Sequence, residues 1–365
     1  MLEGARYERW GLTPPIPGKI EKRIVKSNLA KSATRILVGV VLGLLAMLAA
    51  VLLYGIPMPG ASLAGPTPPL SDVERQAAQD LQRYVTKLAV DLGERRATQG
   101  DTLQRAELFL QSELAPLTAL PGVKLQRELL RDAPGNPANL VLDLPGQRSG
   151  PLVLVGAHYD SALGGTPAAN DNGSGTAAAL WLARHLAGAP HALPIRVVLF
   201  ANEEMPYFAT DAMGSLQHAR GCKQRGEQLR AMFALETMGY YSDAPGSQKY
   251  PPPLSSLYPD RGNFVGFVGD LGSRSLVRDS IRSFRAHATI ASEGAALPAA
   301  LPGIGWSDHW AFWQVGYSAL MVTDTALYRD PNYHQLSDTP DQLDFERLAR
   351  VVVGLRATLL ELAND

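Results

Sequence analysis

From residue 123 to the C-terminus, short apolar runs alternate with stretches whose apolar positions recur at helical spacing. "KLQREL", "NLVLDLP", "PLVLVGAHYD", "IRVVLFANEE", "AMFALETMGYY", "FVGFVGD" and "SALMVTDTA" read as strands. A small-residue segment at 174–187 reads as a helix, and an apolar-periodic helix closes the chain at about 344–362. Near-continuous apolar strands with helices between them suit a sheet whose two faces are both covered, since neither face then meets water. The pattern predicts an α/β fold with a mostly parallel sheet. Amphipathic helices are expected upstream, at about 72–94 and 102–115.

Residues 36–56, "ILVGVVLGLLAMLAAVLLYGI", follow neither period and carry no charge. At about 1.5 Å per residue such a run crosses a hydrocarbon core of roughly 30 Å, so it reads as one transmembrane helix. "SLAG" at 62–65 loosely resembles a signal-peptide cleavage site, but the apolar run is too long for a signal peptide and the segment before it too extended. Lys19, Lys22, Arg23, Lys26, Lys31 and Arg35 precede the run, whereas residues 57–74 contain no Lys or Arg. The positive-inside rule then sets the N-terminus in the cytoplasm, with the rest of the chain periplasmic or otherwise extracytoplasmic, anchored in the cell (inner) membrane by a single pass. The expected organisation is a basic cytoplasmic segment (1–35), the transmembrane helix (36–56), a Pro/Gly-rich linker (57–72) that holds the domain clear of the bilayer, and one α/β domain (73–365).

Composition narrows the function classes. The chain has 365 residues, 46% hydrophobic and 19% charged, with a formal net charge of -1, which is globular and gives no electrostatic case for nucleic acid. Its single cysteine, Cys222, excludes an internal disulfide and a Cys-type zinc site.

In parallel sheets ligands gather outside the carboxyl ends of the strands, and the polar residues of this chain fall there: His158 and Asp160 after "VLVGA", Glu203 and Glu204 after "VVLFAN", Glu236 after "MFAL". Taken singly, each has an ordinary reading. His158 could be a satisfied buried histidine, Asp171 in "NDNGSG" part of a turn and helix N-cap, Glu203-Glu204 a solvated face and His334 in "NYHQLSDTP" a loop residue. Their common placement at the ends of apolar elements argues for a shared site. Two zinc ions about 3.5 to 4 Å apart need a bridging carboxylate and further N or O ligands. Asp171 can bridge, His158 and Glu236 can complete one metal, and Glu204 and His334 the other. Glu203 is left as a general base, and Asp160 is placed to hydrogen-bond the second imidazole nitrogen of His158. "APGSQKYPPPLSSLYPDRGN", 244–263, reads as a long excursion able to shape a pocket beside the site.

"GAHYDS", "PAANDNGSG", "NEEMPYFATDAMGS", "LETMGYY" and "WSDHWAFWQVGYSALMVTDTALYRDPNYHQLSDTPDQLDF" resemble, in order and over roughly residues 75–362, the zinc-dependent aminopeptidase family that includes bacterial leucyl aminopeptidase, glutaminyl cyclase and glutamate carboxypeptidase II. The resemblance implies a phosphorylase/hydrolase-like three-layer α/β sandwich with a di-zinc centre. By motif position it gives His158, Asp171, Glu204, Glu236 and His334 the metal roles and Glu203 that of the base. Two departures stand out. Glu236 occupies a position that is generally Asp in the family, so one or two zincs remain open, and "PGIGWSDH" lacks the Tyr that stabilises the oxyanion in bacterial leucyl aminopeptidase. His309, Trp306 or Tyr333 are the substitutes at hand, while the ordinary reading of Trp306, Trp310 and Trp313 is packing.

The expected function is a membrane-anchored zinc exopeptidase, an aminopeptidase by the family's habits, acting on peptides. Glu293, Asp308 or Asp324 could meet a substrate amine and Arg329 a substrate carboxylate. The alternatives are glutaminyl cyclisation on the same scaffold and a non-catalytic membrane receptor or adhesion domain. Retention of every ligand together with Glu203 argues against the second.

Overall fold

The computed structural model describes residues 17–252 and 254–365. Residues 1–16 lie outside the described residues, as do the side chains of Lys19, Lys22, Arg23 and Lys26 in the expected cytoplasmic segment. The chain divides into two units, one up to Tyr54 and one from Gly55 to Asp365. The first is built on helix α1 (Pro17–Gly55). Its Thr34–Gly55 stretch, mean hydropathy 3.0, is long and apolar enough to cross a membrane by length and composition.

The second unit is organised on a sheet of eight strands: β1 (Lys124–Leu129), β2 (Ala138–Leu144), β3 (Leu152–His158), β4 (Ile195–Phe200), β5 (Leu229–Glu236), β6 (Phe264–Asp270), β7 (Ala291–Leu297) and β8 (Leu320–Thr323). Their order is β1-β2-β4-β3-β5-β8-β6-β7. The central strands β4, β3, β5 and β8 run parallel, so their carboxyl ends open on one side. β2 joins β4, and β6 joins β8, in antiparallel sense.

Alternation along the strands makes the layers. Val153, Val155 and Ala157 pack into a large core with α2 (Asp72–Thr86), α3 (Thr102–Leu114), α4 (Gly175–Leu186), α6 (Arg274–His287) and α8 (Phe345–Asn364). Leu152 and Leu154 point the other way, into a smaller core with α5 (Gly214–Gln224) and α7 (His309–Trp313). The result is a three-layer α/β sandwich, as the periodicity and the resemblance predict. α5, α6 and β7 were not anticipated from sequence. β7, "ASEGAAL", is built from small residues of low strand propensity and has no apolar run to betray it.

The Pro/Gly-rich segment expected as a linker at 57–72 is bonded to the α/β domain at several points. Arg285 donates to the carbonyls of Pro59 at 3.0 Å and Gly60 at 3.1 Å, and the Ser292 amide donates to the Ser62 hydroxyl at 2.9 Å. Arg278 and Arg350 hold the carbonyls of Pro57 and Pro68, and Met58 packs on the core. Proline-rich backbone keeps its carbonyls but loses amides, and three arginines of the domain supply the donors it lacks.

Candidate metal centre

His158 and Glu236 are the last residues of the neighbouring strands β3 and β5, and their Nε2 and Oε2 atoms lie 3.2 Å apart. Asp171 comes from the turn Ala169–Ser174 that leads into α4. Its backbone is gripped from a distance: the amides of Asn170 and Asp171 donate to the Asp338 carboxylate at 2.7 and 3.1 Å. The Asn172 side chain donates to the Leu235 carbonyl at 2.8 Å, tying the turn to β5. Gly175 is required here, because a Cβ would stand 2.3 Å from Asn172 Oδ1 and 2.4 Å from the Leu235 carbonyl oxygen. Buried Arg95 donates to the carbonyls of Tyr159, Leu88, Gly93, Pro167 and Ala168, clamping the end of β3 to the approach of the turn.

So held, Asp171 faces two ways. Its Oδ1 is 3.4 Å from His158 Nε2, and its Oδ2 is 2.8 Å from His334 Nε2. His334 Nε2 is also 3.4 Å from Glu204 Oε1. The side chains therefore fall into two potential metal-binding groups, His158-Asp171-Glu236 and Asp171-Glu204-His334, which share Asp171. These are the sets expected from sequence. Glu203 belongs to neither, and its Oε2 lies 3.8 Å from His158 Nε2.

The electrostatics fit a cation. Among the described residues, both ring nitrogens of His158 and Glu204 Oε1 are buried without a well-formed hydrogen bond, an expensive arrangement for polar atoms unless something else satisfies them. Burial, reinforced by neighbouring carboxylates, raises Glu203 well above the usual range, and burial lifts Glu236 to about 7. Burial would lower His334, but Asp171 and Glu204 outweigh it and push it up to about 10. The carboxylates raise one another and His334, the imidazoles draw Asp171 down against its burial, and divalent zinc, whose preferred donors are these N and O atoms, would relieve the crowded negative charge.

The remaining candidates separate. Asp160 Oδ1 is 3.5 Å from His158 Nδ1, longer than a good hydrogen bond, and its carboxylate instead accepts the amides of Glu203 at 3.1 Å and Glu204 at 3.0 Å. It positions the two glutamates more directly than the imidazole. Asp308 is buried near Glu203, with both carboxylate oxygens free of hydrogen bonds, and burial pushes it up to about 7. Tyr333 stacks on His334 at 3.9 Å and lines the adjoining cleft.

Three other candidates spend some of their polar atoms within the domain. His309 is buried, with Nε2 2.7 Å from the Ile304 carbonyl oxygen, and burial brings it down to about 4. Arg329 donates to Gln248 at 2.8 Å and covers the ring of Phe264 at 4.6 Å. Asp324 accepts from Asn170 at 2.9 Å and from the Tyr240 amide at 2.8 Å. Trp313 donates to Ser273 and the Ala319 carbonyl, and Trp310 packs near Phe208, whereas Trp306 is half exposed on the cleft. The cleft runs from Glu236 and Tyr333 along Tyr250, Leu254 and Tyr258, so the excursion at 244–263 does form its wall. Sequence reasoning missed Arg95, which lies outside the quoted motifs, and passed over Asp338, which lies four residues after His334 within one of them; both act through the backbone.

The three-layer fold thus carries two groups of potential metal ligands at its strand ends, the arrangement a metal-dependent hydrolase needs. The profile of Peptidase family M28 matches residues 139–359, more than half of the chain, and the chain belongs to that family of hydrolases. A protein of Escherichia coli K12, uncharacterized protein YfbL, is 38% identical over 288 residues, covering 76% of this chain and 86% of its own length. A probable leucine aminopeptidase of Arthroderma otae is 27% identical over 62% of this chain, which spans 58% of that relative. Among solved structures, Legionella pneumophila LapA aminopeptidase superposes with a TM-score of 0.65 at 17% identity, covering 83% of this chain and 78% of that one. Fimbriiglobus ruber glutaminyl cyclase does so at 0.55 and 19%, covering 84% and 99%. At these identities the structures speak for the fold.

Proposed function

We propose that the protein is a membrane-anchored zinc aminopeptidase that releases N-terminal residues from peptides outside the cytoplasmic membrane. The observation that carries this reading is the pair of ligand groups sharing Asp171, with the unligated Glu203 beside them. His158, Asp171 and Glu236 would hold one zinc and Asp171, Glu204 and His334 a second. Zinc bound there would supply Lewis-acid polarisation of the scissile carbonyl and a lowered pKa for water.

The chain's own residues do the rest. Glu203 takes the proton of the attacking water and passes it to the departing amine, a role suited to a carboxylate whose pKa is raised by burial. Asp160 fixes the backbone of Glu203 and Glu204 so that the base and the ligand keep separate directions. The Ser307 hydroxyl donates to Glu236 Oε2 at 2.8 Å, and Asp338 holds the turn that carries Asp171.

The full-length zinc-loaded protein, assayed on aminoacyl, carboxypeptidase-type and N-terminal Gln peptides, tests the reading. Release of the N-terminal residue is expected. Pyroglutamate formation without hydrolysis would place the protein with the cyclases instead, a reading that the shared fold keeps open. The anchoring rests on the apolar Thr34–Gly55 helix and the Lys/Arg asymmetry around it. A reporter fused after residue 70 should be active only outside the membrane; activity in the cytoplasm would reverse the topology.

A further inference from the structure

Glu236 of β5 pairs with Thr323 of β8, Thr323 with Gly266 of β6, and Gly266 with Glu293 of β7. Registered neighbours in a sheet present their side chains to the same face, so the ligand Glu236 and Glu293 stand at two ends of one row. Three strand spacings of about 4.8 Å separate them by about 14 Å. Between them the row carries only a threonine and a glycine, which leaves a groove above the sheet.

The groove is apolar except at its far end. Leu254, Val268, Met321 and the stacked rings of Tyr250 and Tyr258, 5.6 Å apart, make its walls. Both phenol hydroxyls are spent on carbonyls, Tyr250 on Pro259 at 2.6 Å and Tyr258 on Gly294 at 2.8 Å, so the ring surfaces are what the groove offers. Glu293 is partly buried there. Its nearest cation, Arg285, stands 3.9 Å away and spends its own donors on Ser292, Pro59 and Gly60. Lys249 lies exposed at the rim and makes no ion pair among the described residues. Among the described residues the Glu293 carboxylate thus lacks a hydrogen-bonded partner of opposite charge.

We propose that this groove selects peptides whose N-terminal residue is lysine or arginine, and that Glu293 is the specificity-determining residue that binds the side-chain cation. The proposal rests on the aminopeptidase reading above. An aliphatic stem lying over Gly266 and between the tyrosines would be desolvated, while its charged head reaches a carboxylate and aromatic faces, both of which favour a cation. A peptide backbone in the same place would leave amides and carbonyls unpaired against apolar walls. That argues for a side chain in the groove and against the α-amine of a longer substrate.

The test measures kcat/KM of the full-length zinc-loaded protein and of Glu293→Gln on lysyl, arginyl, norleucyl and dipeptidyl arylamides. Binding of lysinol and norleucinol, which have no scissile bond, is measured in parallel by calorimetry. Wild type should favour lysyl and arginyl over norleucyl substrates by about tenfold or more, the scale of one charge-assisted hydrogen bond. Glu293→Gln, with zinc content and melting temperature unchanged, should lose that preference and keep norleucyl turnover within about twofold. Equal loss on all substrates, a wild-type preference for norleucyl, or a dipeptidyl preference that depends on Glu293 would each overturn the proposal. If no arylamide is cleaved, the peptidase reading falls. Tighter binding of lysinol than norleucinol in wild type alone would then still uphold the cation pocket, and equal binding would sink it.

Discussion

The backbone amide of Glu203 donates to the Asp160 carboxylate at 3.1 Å, which ties the proposed base to the strand-end loop that follows His158. Glu203 is therefore placed by its main chain, and its carboxyl group is left for chemistry. Glu203→Gln should retain wild-type zinc content and melting temperature and lose turnover by about 10² to 10⁴-fold, the usual contribution of a positioned general base. Zinc loss in this variant would exchange the roles of the two glutamates, and full activity would remove Glu203 from the mechanism.

Asp171 faces both ligand groups, whereas His334 faces one. Ala at Asp171 is expected to abolish binding at both positions, and Ala at His334 to spare the His158-Glu236 side. Metal stoichiometry by elemental analysis decides this. Equal loss of a single ion in both variants would mean that Asp171 does not bridge.

Arg95 is buried, and burial brings it down to about 10 even with the carboxylates of Asp338 and Asp160 nearby. Its five carbonyl contacts join Leu88 and Gly93 to Tyr159, Pro167 and Ala168. Arg95→Met should destabilise the domain by about 3 kcal/mol or more, since several buried carbonyls lose a charged donor together. Urea denaturation measures it. A change below about 1 kcal/mol would show that water replaces the guanidinium without penalty.

Acid should loosen the seam between β1 and α5. Burial alone would raise Glu128, but hydrogen bonds from His218 at 2.7 Å and Asn139 at 2.9 Å, with the charges of His218 and Arg225, bring it down to about 2. A carboxylate depressed in the folded state stabilises above its unfolded pKa, and that stability is lost as pH falls from about 4.5 to about 2. Glu128→Gln should be less stable than wild type at neutral pH, and the gap should close across that window. A stability difference independent of pH would assign the effect to packing.

Much of the centre was legible because its side chains sit at the ends of apolar strands. His158, Glu203, Glu204 and Glu236 are announced by the runs before them, and Asp171 and His334 by motif. The supports were not. Arg95 and Asp338 act on backbone carbonyls and amides up to 168 residues away in sequence, and a sequence pattern does not reveal such a pairing. His309 and Arg329 were read as open to a substrate, and each is buried with a polar atom bonded inside the domain, His309 to Ile304 and Arg329 to Gln248, which a sequence does not reveal. β7 escaped because alanine, serine and glycine carry no strand periodicity, and with it went the position of Glu293 in the row that ends at Glu236.

The segment around Pro57–Pro68 lies against β7, the last strand of the sheet. A terminal strand exposes unpaired amides and carbonyls that a second chain can extend, which is a common start of aggregation. The Ser62 hydroxyl takes up the amide of Ser292, and the neighbouring prolines have no amide to offer an incoming strand. The stretch that joins the apolar helix to the domain thus also works as a guard on an open flank. Cutting it away to make a shorter soluble form would leave a catalytic domain prone to stack on its own copies.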